Sequence, residues 1–341
     1  MFTFSSCAVK SQPMPSVKVF FAGTQLPSKA PSTGNGRKQV FQVKNAVELI
    51  AAAKQYKDGD VIYLGPGMFD FTEASVLEFP LKVVLQGTYD LKTQTGTTVF
   101  TGRLGHQPVI KLTGKGSKFL NIRMKGPDTS RRTEQMMKLY QTNEYYSIPN
   151  SRGISVMGDD ITVSGCEFFG WSEAAIYIDE AKGVEVMNNY IHHNQREGLG
   201  YGVCLNKSSA RIYYNYFDWN RHDIAGTGRT GTCFDAQYNM VGAHKSSHSF
   251  DMHKIMDESI RKEIAGDTII IKNNWVYVKD QEFVRISGAT RFYVSIENNQ
   301  MVNLEKKPIK ILRATGREKV VGNRQLKNNA WVKNIKRGDI Q

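Results

Sequence analysis

The sequence predicts an all-β fold in which a single chain winds into a coil of short parallel strands. Three observations carry that prediction. Short runs of alternating apolar and polar residues fill most of the chain. The runs recur at intervals of about two dozen residues, a period that marks a repeat architecture. One position of the repeat is held by asparagine, as Asn189, Asn215, Asn239, Asn274, Asn299 and Asn323, with Cys166 in the first of these rungs. An Asn side chain bonds turn backbone and tolerates a left-handed conformation, so the column reads as a ladder inside the coil.

Composition narrows the partners. The 341 residues include 45 Lys and Arg against 32 Asp and Glu, a formal charge of +13. Such a balance suits a polyanion: nucleic acid, an anionic membrane surface or an acidic polysaccharide. No nucleic-acid reading motif accompanies the charge, so no nucleic-acid partner is expected. No apolar run is long enough to cross a bilayer. The start, MFTFSSCAVKSQPMPS, is similar to the tail of a bacterial lipoprotein signal in which Cys7 would carry the lipid, although the basic region and most of the apolar core are missing. The expectation is therefore an exported protein: periplasmic, an outer-membrane lipoprotein or secreted. An ordinary disordered terminus is the competing reading. Cys7, Cys166, Cys204 and Cys233 lack metal or disulfide-scaffold spacing and read as free thiols.

Taken in order, residues 1–38 form a signal remnant and flexible lead-in, 39–330 the coil and 331–341 a C-terminal tail. After the lead-in, Ala46, Leu49, Ile50 and Ala53 recur at helical spacing behind Asn45, a suitable N-cap, and Gly59-Asp60 closes the segment before the strand VIYL. A short helix before the first strands would cover an open sheet edge. With the repeat that follows, it resembles the right-handed parallel β-helix of pectate-lyase-like enzymes, over roughly residues 38 to 330. The resemblance implies a single-stranded right-handed parallel β-helix with an N-terminal capping α-helix and an Asn ladder, and a carbohydrate-active protein. Two segments interrupt the period. GPDTSRRTEQMMKLYQTNEYYSIPN is an excursion suited to the wall of a binding face, and KIMDESIRKEIAG reads as a helix.

Alternation within the repeats assigns faces. Ile154, Ile176, Val203, Ile224, Phe250, Val284 and Ile309 point in, as do Val156, Ile178, Leu205, Gly226, Met252, Ile286 and Ile311. The column between them, Ser155, Tyr177, Cys204, Ala225, Asp251, Arg285 and Lys310, then faces solvent. The next outward column reads Met157, Asp179, Asn206, Thr227, His253, Ser287 and Leu312. Tyr201, Arg221, His222, Asp223 and His248 sit at the rim, just before their strands. Register thus gathers His, Asp and Arg from distant stretches onto one patch. Phe250, Asp251 and His253 are also similar to the Tyr-Gly-Phe-Asp-Pro-His signature of mannuronan epimerases, which implies an active-site role for Asp251 and His253. Met252 replaces the signature's proline and His248 its tyrosine, so the tyrosine's role does not carry over.

The chemistry expected of this patch is β-elimination on a uronate-containing polysaccharide. Elimination needs a base for the proton beside the carboxylate, a cation for that carboxylate and an acid for the leaving oxygen. His253 is the expected base, Arg285 the cation with Arg221 or Arg229 assisting, His222 or Tyr201 the acid, and Asp251 the group orienting His253 or Arg285. Tyr177, His248 and Asp223 would contact substrate, and the glycines and threonines between Gly226 and Gly231 would form a clearing for a sugar. Asp251 with Arg285 reads equally as a cross-rung salt bridge. Hydrolysis is the nearest rival, with Asp251 paired to Asp223, Asp235 or Asp179. Epimerisation starts from the same proton abstraction, and a glycan-binding adhesin would leave the cluster without a catalytic task. His244, His248 and His253 lie close enough in sequence to raise a metal site, without a known zinc spacing. Calcium bridging a uronate to aspartates is compatible with elimination. His192 and His193 read as solvated surface residues.

Overall fold

The computed structural model describes residues 38–335 apart from 106, 143, 145–146, 278–279, 303–306 and 328–329, and the side chains up to residue 325. Cys7 and nearly all of the lead-in lie outside the described residues. Three long parallel sheets of 11, 9 and 11 strands are stacked around one apolar core, and each rung gives one strand to each sheet in turn. The strands are short because each side of the coil is only one strand wide, and their period-two pattern suits a surface buried on its inner face.

Helix α1, Ala46–Ala53, covers the first end. Asn45 caps it by accepting a hydrogen bond from the Glu48 amide at 2.9 Å, and Leu49 and Ala52 are buried against the first strands. At the other end Ala330–Ile335 pairs antiparallel with Asn323–Lys327, so the sheet continues past the expected boundary at 330.

The Asn ladder is present and fully buried. The backbone amides of Cys166, Asn189, Asn215, Asn239, Asn274 and Asn299 each donate to the side-chain oxygen of the asparagine one rung on, at 2.9 to 3.0 Å. The left-handed residue is the one before each ladder position rather than the asparagine itself: Asn188, Tyr214, Tyr238, Asn273 and Asn298 have φ between 55° and 57°. The turn bends at that residue, and the asparagine then satisfies the amides the bend exposes.

A second, shorter ladder runs along the turn that leads into the 9-stranded sheet. Trp171 and Asn194 donate their amides to Asn194 and Asn220 in the same way. Its next rung is Lys245, which bridges to Asn220 and is ion-paired with Asp223, both side chains being inaccessible.

Of the interruptions, the first carries helix α2, Thr133–Thr142, anchored by buried Met136. The second is an antiparallel hairpin, Ile255–Asp257 with Lys262–Ile264, and not the expected helix. Its apolar residues match a helical period, but Ile255, Met256 and Ile260 are exposed, so there is no buried face to hold a helix. Asp257 instead accepts from the Ser259 amide to form a turn, Arg261 takes a left-handed φ of 50°, and Lys254 pairs with Glu263 across the hairpin at 2.6 Å.

Candidate functional site

The 9-stranded sheet carries the candidate residues, and its register is the one the sequence pattern demands. Ser155, Tyr177, Cys204, Ala225, Asp251, Arg285 and Lys310 are successive partners along it, and both flanking apolar columns point into the core. The outward column is not open to solvent throughout, however. Ser155, Cys204, Ala225 and Asp251 are buried, because larger side chains lie beside and over them. Arg152 rests 3.8 Å from the centre of the Tyr177 ring, and Tyr201 lies nearly parallel to His222 with ring centres 5.7 Å apart. Each tyrosine therefore has one face covered, which leaves less of it for stacking on a sugar.

Asp251 is the centre of the arrangement, 1% exposed and surrounded by three histidines. His248 Nε2 stands 3.1 Å from Oδ1; His253 Nε2 stands 3.0 Å and His222 Nε2 3.9 Å from Oδ2. Burial works to raise the Asp251 pKa, but the contacts with His248 and His253 outweigh it and hold the carboxyl well below its usual range. His253 presents its Nε2 to Asp251 with no solvent access to that atom, while its side chain as a whole is 42% exposed. Its other edge, with Nδ1, accordingly faces outward. Desolvation lowers the His253 pKa, Asp251 opposes this and the charge of Arg221 adds to it, so the ring is neutral at physiological pH and free to accept a proton.

His222 is different. It is fully buried, its Nδ1 donates to the His248 carbonyl at 2.6 Å, and burial drives its pKa far below that of a free histidine. A ring that stays neutral with its proton committed to a carbonyl cannot serve as an acid, so that expectation is withdrawn. Asp223 is likewise removed from the rim: it is inaccessible, bonded to Lys245 and Asn220. Arg229 is exposed and no contact draws its side chain to the cluster. Arg285, although the register partner of Asp251, turns to Glu282 at 3.4 Å, and Lys310 shares that carboxylate at 3.6 Å. Glu282 also lies 3.9 Å from His248 and was not singled out by the sequence pattern, since it precedes its strand in a loop.

Arg221 is better placed than Arg285. Its charge acts on both His222 and His253, and its Nε lies 3.7 Å from Glu197. Glu197 also pairs with Arg131 of the excursion, and Gln195 donates to the Thr129 carbonyl, so the excursion forms a wall beside the site. Gly226 and Gly228 are packing devices and not a clearing. A Cβ on Gly226 would lie 2.5 Å from Met252 Sδ, and one on Gly228, at φ +79°, would lie 2.2 Å from the His253 carbonyl oxygen. Thr227 donates to Asn206, which donates to Asp179.

Two further sequence expectations change. His192 is buried and hydrogen-bonded to Glu167 on the third sheet. His244 stacks on Trp219 at 4.1 Å and faces Asp218, away from the Asp251 cluster, where His222 stands in its place.

A family model described as the right handed beta helix region matches residues 128–241. The fold is a right-handed parallel β-helix. Among solved structures it is similar to the Dettilon tailspike protein, at 14% identity and a TM-score of 0.50 over 86% of this chain and 69% of that one. It is similar at the same identity and score to the family 28 exopolygalacturonase of Yersinia enterocolitica, over 81% of this chain and 60% of that one. The Geobacillus virus E2 protein ORF18 matches at 12% identity and a TM-score of 0.48, over 82% of this chain, which spans 57% of the viral protein. These are likenesses of fold. No curated protein matches the chain in sequence.

Proposed function

We propose that the protein is a polysaccharide lyase that cleaves a uronate-containing polysaccharide by β-elimination on the outer face of the 9-stranded sheet. The observation that carries this reading is the His253–Asp251 pair: a neutral imidazole with one edge outward, held from behind by a buried carboxylate. In the proposed step His253 Nδ1 takes the proton from the carbon bearing the uronate carboxylate. The electron pair forms the carbon–carbon double bond, and the bond to the glycosidic oxygen breaks. Tyr201, whose ring lies edge-on to His253 at 6.3 Å, gives its hydroxyl proton to that oxygen. Arg221 takes the charge-neutralising role first assigned to Arg285, and the +13 balance of the chain favours the anionic polymer.

Hydrolysis is supported less well. It requires a second carboxyl group within about 9.5 Å of the first. Glu282, across the His248 ring from Asp251, is near enough, but Arg285 and Lys310 both engage it. Asp223 is locked to Lys245, and Asp235 belongs to a different sheet. Asp179 is three rungs from the Asp251 rung, roughly 14 Å at strand spacing.

The test is to incubate the protein with a panel of uronate polysaccharides and follow ultraviolet absorbance. Elimination yields unsaturated uronate ends. Saturated reducing ends would replace the proposal with hydrolysis, and an unfragmented polymer of altered uronate configuration would replace it with epimerisation.

A further inference from the structure

We propose that His222, His248 and Asp251 bind a divalent first-row transition-metal ion such as zinc. One ligand atom from each lies within 4.8 Å of the others, in a site where all three residues are buried. Ligands on one zinc ion stand at most about 4 Å apart, so the rings need to move by less than about 1 Å to share it.

The hydrogen bonding around the cluster prepares it for a cation. A carbonyl can only accept, so the 2.6 Å contact fixes the His222 proton on Nδ1 and leaves a lone pair on Nε2. That lone pair faces the Asp251 carboxylate at 3.9 Å, two electron-rich atoms opposed in a dry interior. His222 Nε2, His248 Nε2 and both Asp251 oxygens have no well-formed hydrogen bond among the described residues. The Asp251 oxygens have only the close approaches of His248 Nε2 and His253 Nε2, at 3.1 and 3.0 Å, and buried polar atoms are normally fully bonded, so a cluster left this way has room for a ligand. The outer nitrogens are tied in the way metal-bound imidazoles usually are, His222 Nδ1 to a carbonyl and His248 Nδ1 to Ser247 Oγ at 3.1 Å. Two imidazoles and one carboxylate favour a borderline ion such as zinc over calcium, which prefers an all-oxygen shell. The three side chains come from two adjacent rungs, so the ion would clamp one coil to the next.

The proposal does not depend on the lyase reading, and its readout is metal binding alone. Chelator-treated full-length protein is titrated with zinc by calorimetry and with cobalt by visible absorption. One equivalent is expected, bound at least tenfold more weakly by His222→Gln and by His248→Gln and unchanged in His244→Gln. Equal affinity in His222→Gln and the parent protein would overturn it. Should the buried variants fail to fold, zinc-edge X-ray absorption on the parent protein decides: imidazole scattering supports the site, and a shell of oxygen alone refutes it.

Discussion

Glu167 and Asp251 are both nearly inaccessible carboxylates beside histidines, on different sheets of the same coil, and they are built for different ends. Both Glu167 oxygens accept hydrogen bonds. His192 Nε2 lies 2.9 Å from one, Tyr89 donates to the other, and Arg123 adds an ion pair at 2.5 Å. The His192 ring is itself held between Phe169 and Tyr190, at 5.0 and 3.9 Å. Asp251 has three histidines instead of one, yet neither oxygen has a well-formed hydrogen bond, and one of those rings opens to solvent. A carboxylate with both oxygens hydrogen-bonded fixes a structure, whereas one with neither oxygen well bonded is open to another partner. The comparison separates scaffold from site more sharply than residue type does.

The comparison breaks if removing His253 leaves the activity intact. His253→Ala is expected to lower kcat/KM on a uronate polymer about a thousandfold, within the range general-base catalysis supplies, with an unaltered β-sheet circular dichroism spectrum. On the other sheet Glu167→Ala should do the reverse. It strands Arg123, His192 and the Tyr89 hydroxyl, and is expected to cost about 3 kcal/mol in denaturant unfolding while leaving kcat/KM within twofold.

Glu167 also sharpens the contrast through pH. Burial acts to raise its pKa, but the bonds with His192 and Tyr89 and the charge of Arg123 hold it below the usual glutamate value. A depressed folded pKa contributes stability that is complete above the unfolded value, near 4.3, and is lost as pH falls through the folded one. Thermal unfolding followed from pH 6 downward should show the parent protein losing stability more steeply than Glu167→Gln below about pH 4. Parallel curves would mean that Glu167 does not titrate as the structure requires.

Much of this scaffold could be read from the sequence, because a solenoid writes its register into the chain. The columns through Ile154, Asp251 and Ile286 follow from alternation alone, and the Asn ladder from its interval. What alternation cannot convey is the direction of a long side chain beyond its Cβ. It placed Arg285 beside Asp251 correctly, but the guanidinium turns to Glu282, a loop residue outside the repeat. Nor can it tell that an outward position is roofed over, as Ala225 and Asp251 are, or that Lys245 replaces an asparagine at the end of the second ladder. The hairpin at Ile255–Asp257 was hidden because its apolar spacing satisfies a helix equally well. Asn239→Ala would test the legible part. The substitution leaves the Asn215 amide without its acceptor in a dry interior, and an unfolding cost of about 2 kcal/mol is expected.

The smallest expected effect separates the two arginines. The Arg285 guanidinium is drawn to 3.4 Å from Glu282, a carboxylate it shares with Lys310, and so is turned away from His253. The charge of Arg221 is felt at the His253 ring, and its Glu197 partner, shared with Arg131, stands 3.7 Å away. A charge of that kind can hold a uronate carboxylate before and during proton transfer. Arg221→Ala should therefore raise KM and lower kcat together, for about a tenfold fall in kcat/KM, near 1.4 kcal/mol, whereas Arg285→Ala should change it less than threefold. The opposite order would return the carboxylate to the Arg285 side of Asp251 and move the substrate one rung along the coil.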